Sequence, residues 1–583
     1  MTKRGLINAP ITRGSLGAAL ALIFLATPVA AFAQSKCPRP AAGSVVTNPP
    51  ALYSKNGVLK VNLSYNTDKD ADGRTLYCFT TSDGTESPTF HVRPGDHLKI
   101  NVKNNLPAPT AASAMQMATN AAMVCGAATM DSSSMNIHYH GTNTSPTCHQ
   151  DEVIYTTINS GQSFAYDVVF PRNEPPGLYW YHPHIHGIAE AAVLGGASGA
   201  IIVDGIEDLQ AAVAGLPHRL FVVRDQNVAG QPKPGGAVPA WDLSLNYVPI
   251  AYPALTPAII QMAPGETQFW RVANAAADTI LDLQLTYDGV PQTIQIVGLD
   301  GVPTGSQDGT EEGKLIAVTD IRVPPAARVE FIMTGPTTSV KSAQFLTQAI
   351  NTGPNGDNDT QRTLANIVTT GGPSPVAARL SAKPGAPWRQ RFEGLATAEV
   401  TAKRLLYFSE SADQTQFFIT VDGQTPTLFS PTNPPAVITT QGSVEDWTIQ
   451  NRAQENHEFH FHQIHFMTRS QDNFVINGSV PVHALQGQLM DMIEIPYWDG
   501  NPAHPYPSVT LRMDFRGPDI GDFVYHCHIL NHEDQGMMAI IRVLPGPEAG
   551  TKQPIIKRSI SQAVAPKREV IKVAANETRL SAK

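Results

Sequence analysis

Near its C-terminal end the chain reads His526-Cys527-His528, followed by His532 and Met537. Cys527, His532 and Met537 are spaced C-x4-H-x4-M. That supplies a thiolate, an imidazole and a weak thioether, most of the donor set of a blue-copper electron-transfer centre. On an extended strand successive side chains point to opposite faces. Cys527 is therefore expected to face one metal, while His526 and His528 face another. Two redox centres joined through three consecutive residues suit a protein that passes electrons rather than one that stores metal.

The chain has 18 histidines, and ten of them fall in four tight clusters. These are His138-Tyr139-His140-Gly141, His182-Pro183-His184, His457-Glu458-Phe459-His460-Phe461-His462, and His526-Cys527-His528 with His532. Each contains an H-x-H step, which puts two imidazoles on one face of a strand. A single such step is weak evidence, but four together are not an accident of composition. The blue site needs a second imidazole, and His457 is the unpaired one in the third cluster. The remaining set is His138, His140, His182, His184, His460, His462, His526 and His528. Eight neutral imidazoles suit a multi-copper cluster. Four come from early in the chain and four from late, so the cluster is expected in a cleft between two blocks. The middle of the chain holds only His218, and is expected to carry no metal and to act as a spacer.

The elements that must position these residues read as strands. Pro (47) and Gly (45) are plentiful and charged residues make up only 16%, so short apolar runs are broken by turn residues rather than drawn into long amphipathic helices. At roughly 100–200 residues per domain, 583 residues make about three or four domains. Three strand-rich blocks can be drawn, at 45–204, 205–387 and 388–545. Two contain a polar turn leading into a Trp strand, Gly265-Glu-Thr-Gln-Phe-Trp270 and Gly442-Ser-Val-Glu-Asp-Trp447, and the first has Pro94-Gly-Asp-His-Leu-Lys-Ile at the matching place. That recurrence points to one sandwich-like unit used three times. Residues 108–135, rich in Ala, Ser and Met, are expected to form an insertion loop whose thioethers could alternatively collect Cu(I). The segment 546–583 is basic and is expected to be a disordered tail.

Residues 1–33 have a basic start, an apolar run from Leu16 to Leu25 and Ala31-Phe32-Ala33 as a small-x-small cleavage site. They read as a secretory signal, so the protein is expected to be exported, periplasmic or secreted. No other segment is long and apolar enough to span a membrane. In that compartment Cys37, Cys78, Cys125 and Cys148 are expected to form disulfides, with three connectivities open. The net charge of −9 with no basic face in the body of the chain argues against nucleic acid as a partner.

The strings IHYHG, YWYHPHIHG, HEFHFHQIHF and HCHILNHEDQGMM resemble those of the multicopper oxidases, the family of laccases and bacterial cuprous oxidases. The resemblance covers nearly the whole chain after the leader. It implies an all-β fold of three consecutive cupredoxin-like Greek-key β-sandwich domains and four copper ions. A type 1 copper would sit on His457, Cys527 and His532 with axial Met537, and a type 2 copper on His138 and His460. A type 3 pair would be held by His140, His182, His184, His462, His526 and His528. Asp151 and Glu533, close after two of the motifs, become candidates for proton relay, or for orienting a histidine ligand. Three departures from the family pattern concern Tyr139 where Trp is common, Glu458 where Pro is common, and Gln463-Ile464 before His465 where a single Gly is usual. None removes a ligand.

The function implied is oxidation of phenols, aromatic amines or low-valent metal ions (Cu(I), Fe(II), Mn(II)) one electron at a time, coupled to reduction of dioxygen to water by a monomeric enzyme. The rivals are a dedicated cuprous oxidase serving copper tolerance and a non-catalytic copper-binding scaffold. The scaffold should have lost ligands, and this chain has lost none. A copper nitrite reductase would not need all eight cluster histidines.

Overall fold

The computed structural model describes residues 35–109, 115–117, 123–230, 236–305, 313–371 and 391–546. The expected leader 1–33, part of the Met-bearing insertion, the 372–390 segment and all of the basic tail except Gly546 lie outside them. Among the described residues the chain is built of strands, with three α-helices of four to six residues, Ala189–Leu194, Ile206–Leu209 and Leu530–Asp534. None of these is long and apolar enough to cross a membrane. The fold is a series of cupredoxin-like β-sandwiches.

One local construction occurs three times. Val58–Lys69 runs parallel to His97–Asn104, His218–Asn227 runs parallel to Thr267–Asn274, and Ala402–Glu410 runs parallel to Val444–Asn451. Each second strand ends in an asparagine that turns the chain. Asn104 Nδ2 donates to the carbonyls of Ser133 and Ile158, Asn274 Nδ2 to those of Thr279 and Val323, and Asn451 Nδ2 to those of Glu455 and Ile495. Each Oδ1 in turn accepts the backbone N–H two residues on. In the second and third units the Trp on this strand is fully buried. Its indole N–H donates to the side chain two residues earlier, Trp270 to Gln268 and Trp447 to Glu445.

Ordinary strands alternate. In Val58–Lys69, Leu59, Val61, Leu63 and Tyr65 are buried, while Lys60 and Asn62 face solvent, the period-two pattern of a half-buried strand. The strands that carry histidine motifs do not alternate. Gly177–His182 and His457–Phe461 are buried at every position. One face packs into its own sandwich and the other faces the neighbouring block. The cysteines outside the metal motif pair as Cys37–Cys78 and Cys125–Cys148, and Cys527 is free and buried.

Candidate metal centres

The register of three strands places the donors. His457–Phe461 pairs antiparallel with Gly521–Cys527, setting Phe459 opposite Cys527 and His460 opposite His526. His460 and His526 therefore share a face, while Cys527 shares the other with His457. Cys527 Sγ lies 3.7 Å from His457 Nδ1 and 3.8 Å from His532 Nδ1, and those two nitrogens are 3.1 Å apart. His532 reaches the group from the short helix Leu530–Asp534. Met537 is fully buried, and its carbonyl accepts the N–H of Cys527 at 3.1 Å.

On the opposite face the first block meets the third. His138–His140 pairs with Gly177–His182 so that His138 stands across from His182 and His140 from Trp180. Donor atoms within 4.8 Å of one another occur in His138–His140–His182, His138–His460–His462 and His184–His462–His526. His526 Nε2 lies 3.2 Å from His184 Nε2 and 3.1 Å from His462 Nε2. His528 packs its ring 5.0 Å from that of His140 and 5.5 Å from that of His182. All eight imidazoles sit within one buried cleft.

The donor chemistry fits copper. Several rings spend one nitrogen on a protein acceptor and leave the other buried without a partner. His138 Nδ1 binds Asp151 Oδ1, His182 Nδ1 the carbonyl of Pro183, and His460 Nδ1 the carbonyl of Asp491. His140 uses Nε2 on Asp491 Oδ1. The nitrogens left over are His138 Nε2, His182 Nε2, His460 Nε2 and His140 Nδ1, and both nitrogens of His528 are also unpartnered. Burial, and after it mainly the neighbouring rings, lowers the pKa of all eight. Neutral imidazole is the form that binds metal.

The two acids singled out in the sequence touch these ligands. Asp151 is buried, and its Oδ1 accepts both His138 Nδ1–H and the Tyr139 N–H at 2.9 Å, while Gln463 Nε2 donates to Oδ2 at 2.7 Å. Burial raises its pKa well above the ordinary carboxylate value, although two of those hydrogen bonds pull it down. Gln463, one of the departures from the family pattern, thus completes the shell of Asp151. Glu533 places Oε2 3.2 Å from His526 Nδ1 and Oε1 3.7 Å from His184 Nδ1. Glu458 is fully buried, and neither carboxylate oxygen has a hydrogen-bond partner. The other histidines have plain roles. His149 Nδ1 donates to the Ala165 carbonyl, His465 Nε2 donates to the Asp300 carbonyl, and His186 packs against Phe429.

Sequence reading missed two sets of residues. The first is Asp491 with Arg328 and Asp300, which press against the cluster from behind His140, His460 and His465. The signal was an acid alone between Met490 and Met492 in an apolar stretch. The second lies beside His532. A cavity of about 240 Å³ is lined by His532, Asp278, Asp357, Asp359, Glu455 and Phe417. His532 Nε2, turned away from Cys527, lies 3.4 Å from Glu455 Oε1, and Phe417 stacks on the His532 ring at 4.2 Å. Asp278 Oδ2, Asp359 Oδ1 and Glu455 Oε1 are buried without a hydrogen-bond partner. Burial, then Asp357, pushes Asp359 up to about 8. Glu455 is held at about 2 because His532 outweighs its burial. Glu455, two residues before His457, was within reach of the motif, but the aspartates come from the middle block.

Two stretches match family models described as multicopper oxidase, residues 114–208 and 399–547. A rice protein, multicopper oxidase LPR1 homolog 1, is 22% identical over 556 residues, covering 82% of this chain and 86% of its own. The laccase of Bacillus subtilis is 22% identical over 398 residues, 63% of this chain and 71% of its own. Among solved structures, the multicopper oxidase McoA from Aquifex aeolicus superposes with a TM-score of 0.61 at 17% identity, over 86% of this chain and 99% of its own. A multicopper oxidase from Campylobacter jejuni, titled a metallo-oxidase, superposes at 0.59 with 20% identity, over 87% of this chain and 96% of its own.

Proposed function

This chain belongs to the multicopper oxidase family and is a copper oxidoreductase, and from that premise we propose that it oxidises low-valent metal cations at His532 and reduces dioxygen to two waters. On this reading His457, Cys527, His532 and Met537 would hold a type 1 copper, and His138 and His460 a type 2 copper. His140, His182, His184, His462, His526 and His528 take a type 3 pair. Bound there, four coppers supply the capacity to take up electrons singly and pass four of them to one dioxygen. Cys527 links the two halves, because its backbone neighbours His526 and His528 belong to the cluster. Asp151 and Glu533, each against a cluster imidazole, are the groups to hold and deliver protons. The protein acts as a monomer in the periplasm or secreted medium.

The observation that carries the substrate class is the cavity at the outward edge of His532, with its four carboxylates. Burial and neighbouring carboxylates raise the pKa of Asp278, Asp357 and Asp359, so a cation that takes the place of their protons relieves that repulsion, which a neutral phenol cannot do. Carboxylates are hard donors and suit Fe(II) or Mn(II) better than the soft Cu(I), which weighs against a dedicated cuprous oxidase. The test is oxygen uptake by the copper-loaded protein with Fe(II), Mn(II), Cu(I) and a neutral phenol. A higher kcat/KM for the metal cations, lost in Asp359→Asn, is expected. A higher kcat/KM for the phenol, unchanged in that variant, would overturn the reading.

A further inference from the structure

Asp491 is placed to choose nitrogens. A neutral imidazole carries one N–H, and the nitrogen that donates it cannot bind a metal. Asp491 Oδ1 accepts from His140 Nε2 at 3.1 Å, which leaves Nδ1 as that ring's lone-pair nitrogen. The backbone carbonyl of the same residue accepts from His460 Nδ1 at 2.9 Å, which leaves Nε2. The two rings are stacked, centroids 4.0 Å apart. Both remaining nitrogens are buried and unpartnered. One residue therefore sets the tautomers of two adjacent rings, one from each side of the cleft.

Asp491 is itself held from the middle block. Arg328 clamps both carboxylate oxygens, Nη1 to Oδ1 at 2.7 Å and Nη2 to Oδ2. The guanidinium is fully buried and meets all three blocks. Its Nε donates to the Leu178 carbonyl of the first, its Nη1 also to Ala326 of the second, and its partner Asp491 lies in the third. Asp300 braces the pair, with Oδ1 accepting the Arg328 N–H and Oδ2 the N–H groups of Asp491 and Met492. The clamp also accounts for the glycine of the first motif. A Cβ on Gly141 would lie 2.2 Å from Arg328 Nη2 and 2.5 Å from Asp491 Oδ2.

We infer that Arg328 is a positioning residue of the copper cluster, acting through Asp491 to fix which ring nitrogen His140 and His460 present to the metal. The inference rests on the reading that those two histidines hold copper. A buried ion pair adds little net stability over apolar packing of the same volume, so its distinctive contribution here is orientation. With both oxygens engaged by Arg328, Asp491 serves as a brace for ligands rather than as a ligand. The middle block, expected as a spacer, thereby reaches the cluster.

The experiment compares wild type, Arg328→Gln, Arg328→Lys and Asp491→Asn, all copper-loaded as full chains. It reads copper per chain during stepwise chelation, the type 2 signal by electron paramagnetic resonance, and the blue absorption of the Cys527 centre. Loss of an outer partner of a metal ligand weakens binding about 10–100-fold. Arg328→Gln and Asp491→Asn are expected to release cluster copper at correspondingly lower chelator and to shift the type 2 hyperfine splitting, with the blue absorption kept. Arg328→Lys should lie between these variants and wild type. If all variants hold copper as wild type does with an unaltered type 2 signal, the inference fails. It fails also if blue absorption and type 2 signal fall together in every variant, since that is general destabilisation. A wild-type protein without any type 2 copper would instead overturn the reading beneath it.

Discussion

His532 presents two different nitrogens to two different environments. Nδ1 faces Cys527 Sγ at 3.8 Å, and Nε2 faces Glu455 Oε1 at 3.4 Å across the wall of an acidic cavity. A single imidazole thus separates the buried Cys527 sulfur from an acidic cavity.

Glu455→Gln removes the carboxylate nearest that nitrogen while keeping its shape. The KM for Fe(II) or Mn(II) is expected to rise about 10-fold or more, the loss of roughly 1.4 kcal/mol of binding, with a much smaller change for a neutral phenol. Steady-state oxygen uptake with both substrates checks it, and an equal change for the two would remove Glu455 from substrate selection.

Cys527→Ser replaces the thiolate that joins the two sets of imidazoles. The variant is expected to lack the blue absorption and to lose substrate-driven oxygen reduction, while the eight cleft histidines still bind copper. Copper analysis alongside turnover tests this, and persistent turnover would show that electrons reach the cluster by another path.

Asp151→Asn leaves an acceptor for His138 but takes away the titratable proton. General acid–base groups contribute on the order of 100-fold or more, so turnover at constant copper content is expected to fall by that order. An unchanged rate at unchanged copper would leave Asp151 with only its hydrogen bond to His138.

Asn451→Ala tests the turn that recurs in each sandwich. It strips hydrogen bonds from the carbonyls of Glu455 and Ile495, and an unsatisfied buried polar group costs about 1–3 kcal/mol. A stability loss of several kcal/mol in thermal or denaturant unfolding is expected, with the nearby His457 centre weakened as well.

Three buried acids away from the histidine cluster should each take stability away as pH rises from about 5 to 7. Burial pushes Glu152, Glu174 and Asp519 up to about 7, above the value near 4 that such groups have in an unfolded chain. Each of these acids keeps a proton in the folded protein that it loses in the unfolded one, so each by itself removes up to about 1.4 kcal/mol of stability per pH unit. The cluster imidazoles, held neutral by burial, act in the opposite sense below about pH 6.5. Glu152→Gln is expected to shift the slope of melting temperature against pH in the positive direction between about pH 5 and 7, and a variant with the wild-type slope would remove Glu152 from the pH dependence.

How much of this was legible beforehand depended on distance along the chain. The alternation of His526, Cys527 and His528 is a property of any extended strand, and the spacing to His532 and Met537 is local. The four H-x-H steps therefore announced both the clustered imidazoles and the faces they occupy. The polar turn that runs into a strand at Pro94, Gly265 and Gly442 is likewise local, and it made the repeat visible. What no spacing revealed were contacts between residues more than 150 positions apart. Arg328 meets Asp491, and Asp278, Asp357 and Asp359 come together beside His532, only because the sandwiches pack on one another. Glu458 reads as an ordinary polar substitution until packing seals it in a site that leaves its carboxylate unpartnered.

The sequence by itself determined which imidazoles cluster around Cys527 and how they divide between two faces, because side-chain direction on a strand follows from backbone geometry alone. Only the tertiary structure decided which nitrogen each imidazole keeps free and which carboxylates surround His532. Both depend on buried hydrogen bonds and carboxylates supplied by other blocks, and in a water-excluding interior those few partners outweigh local preference.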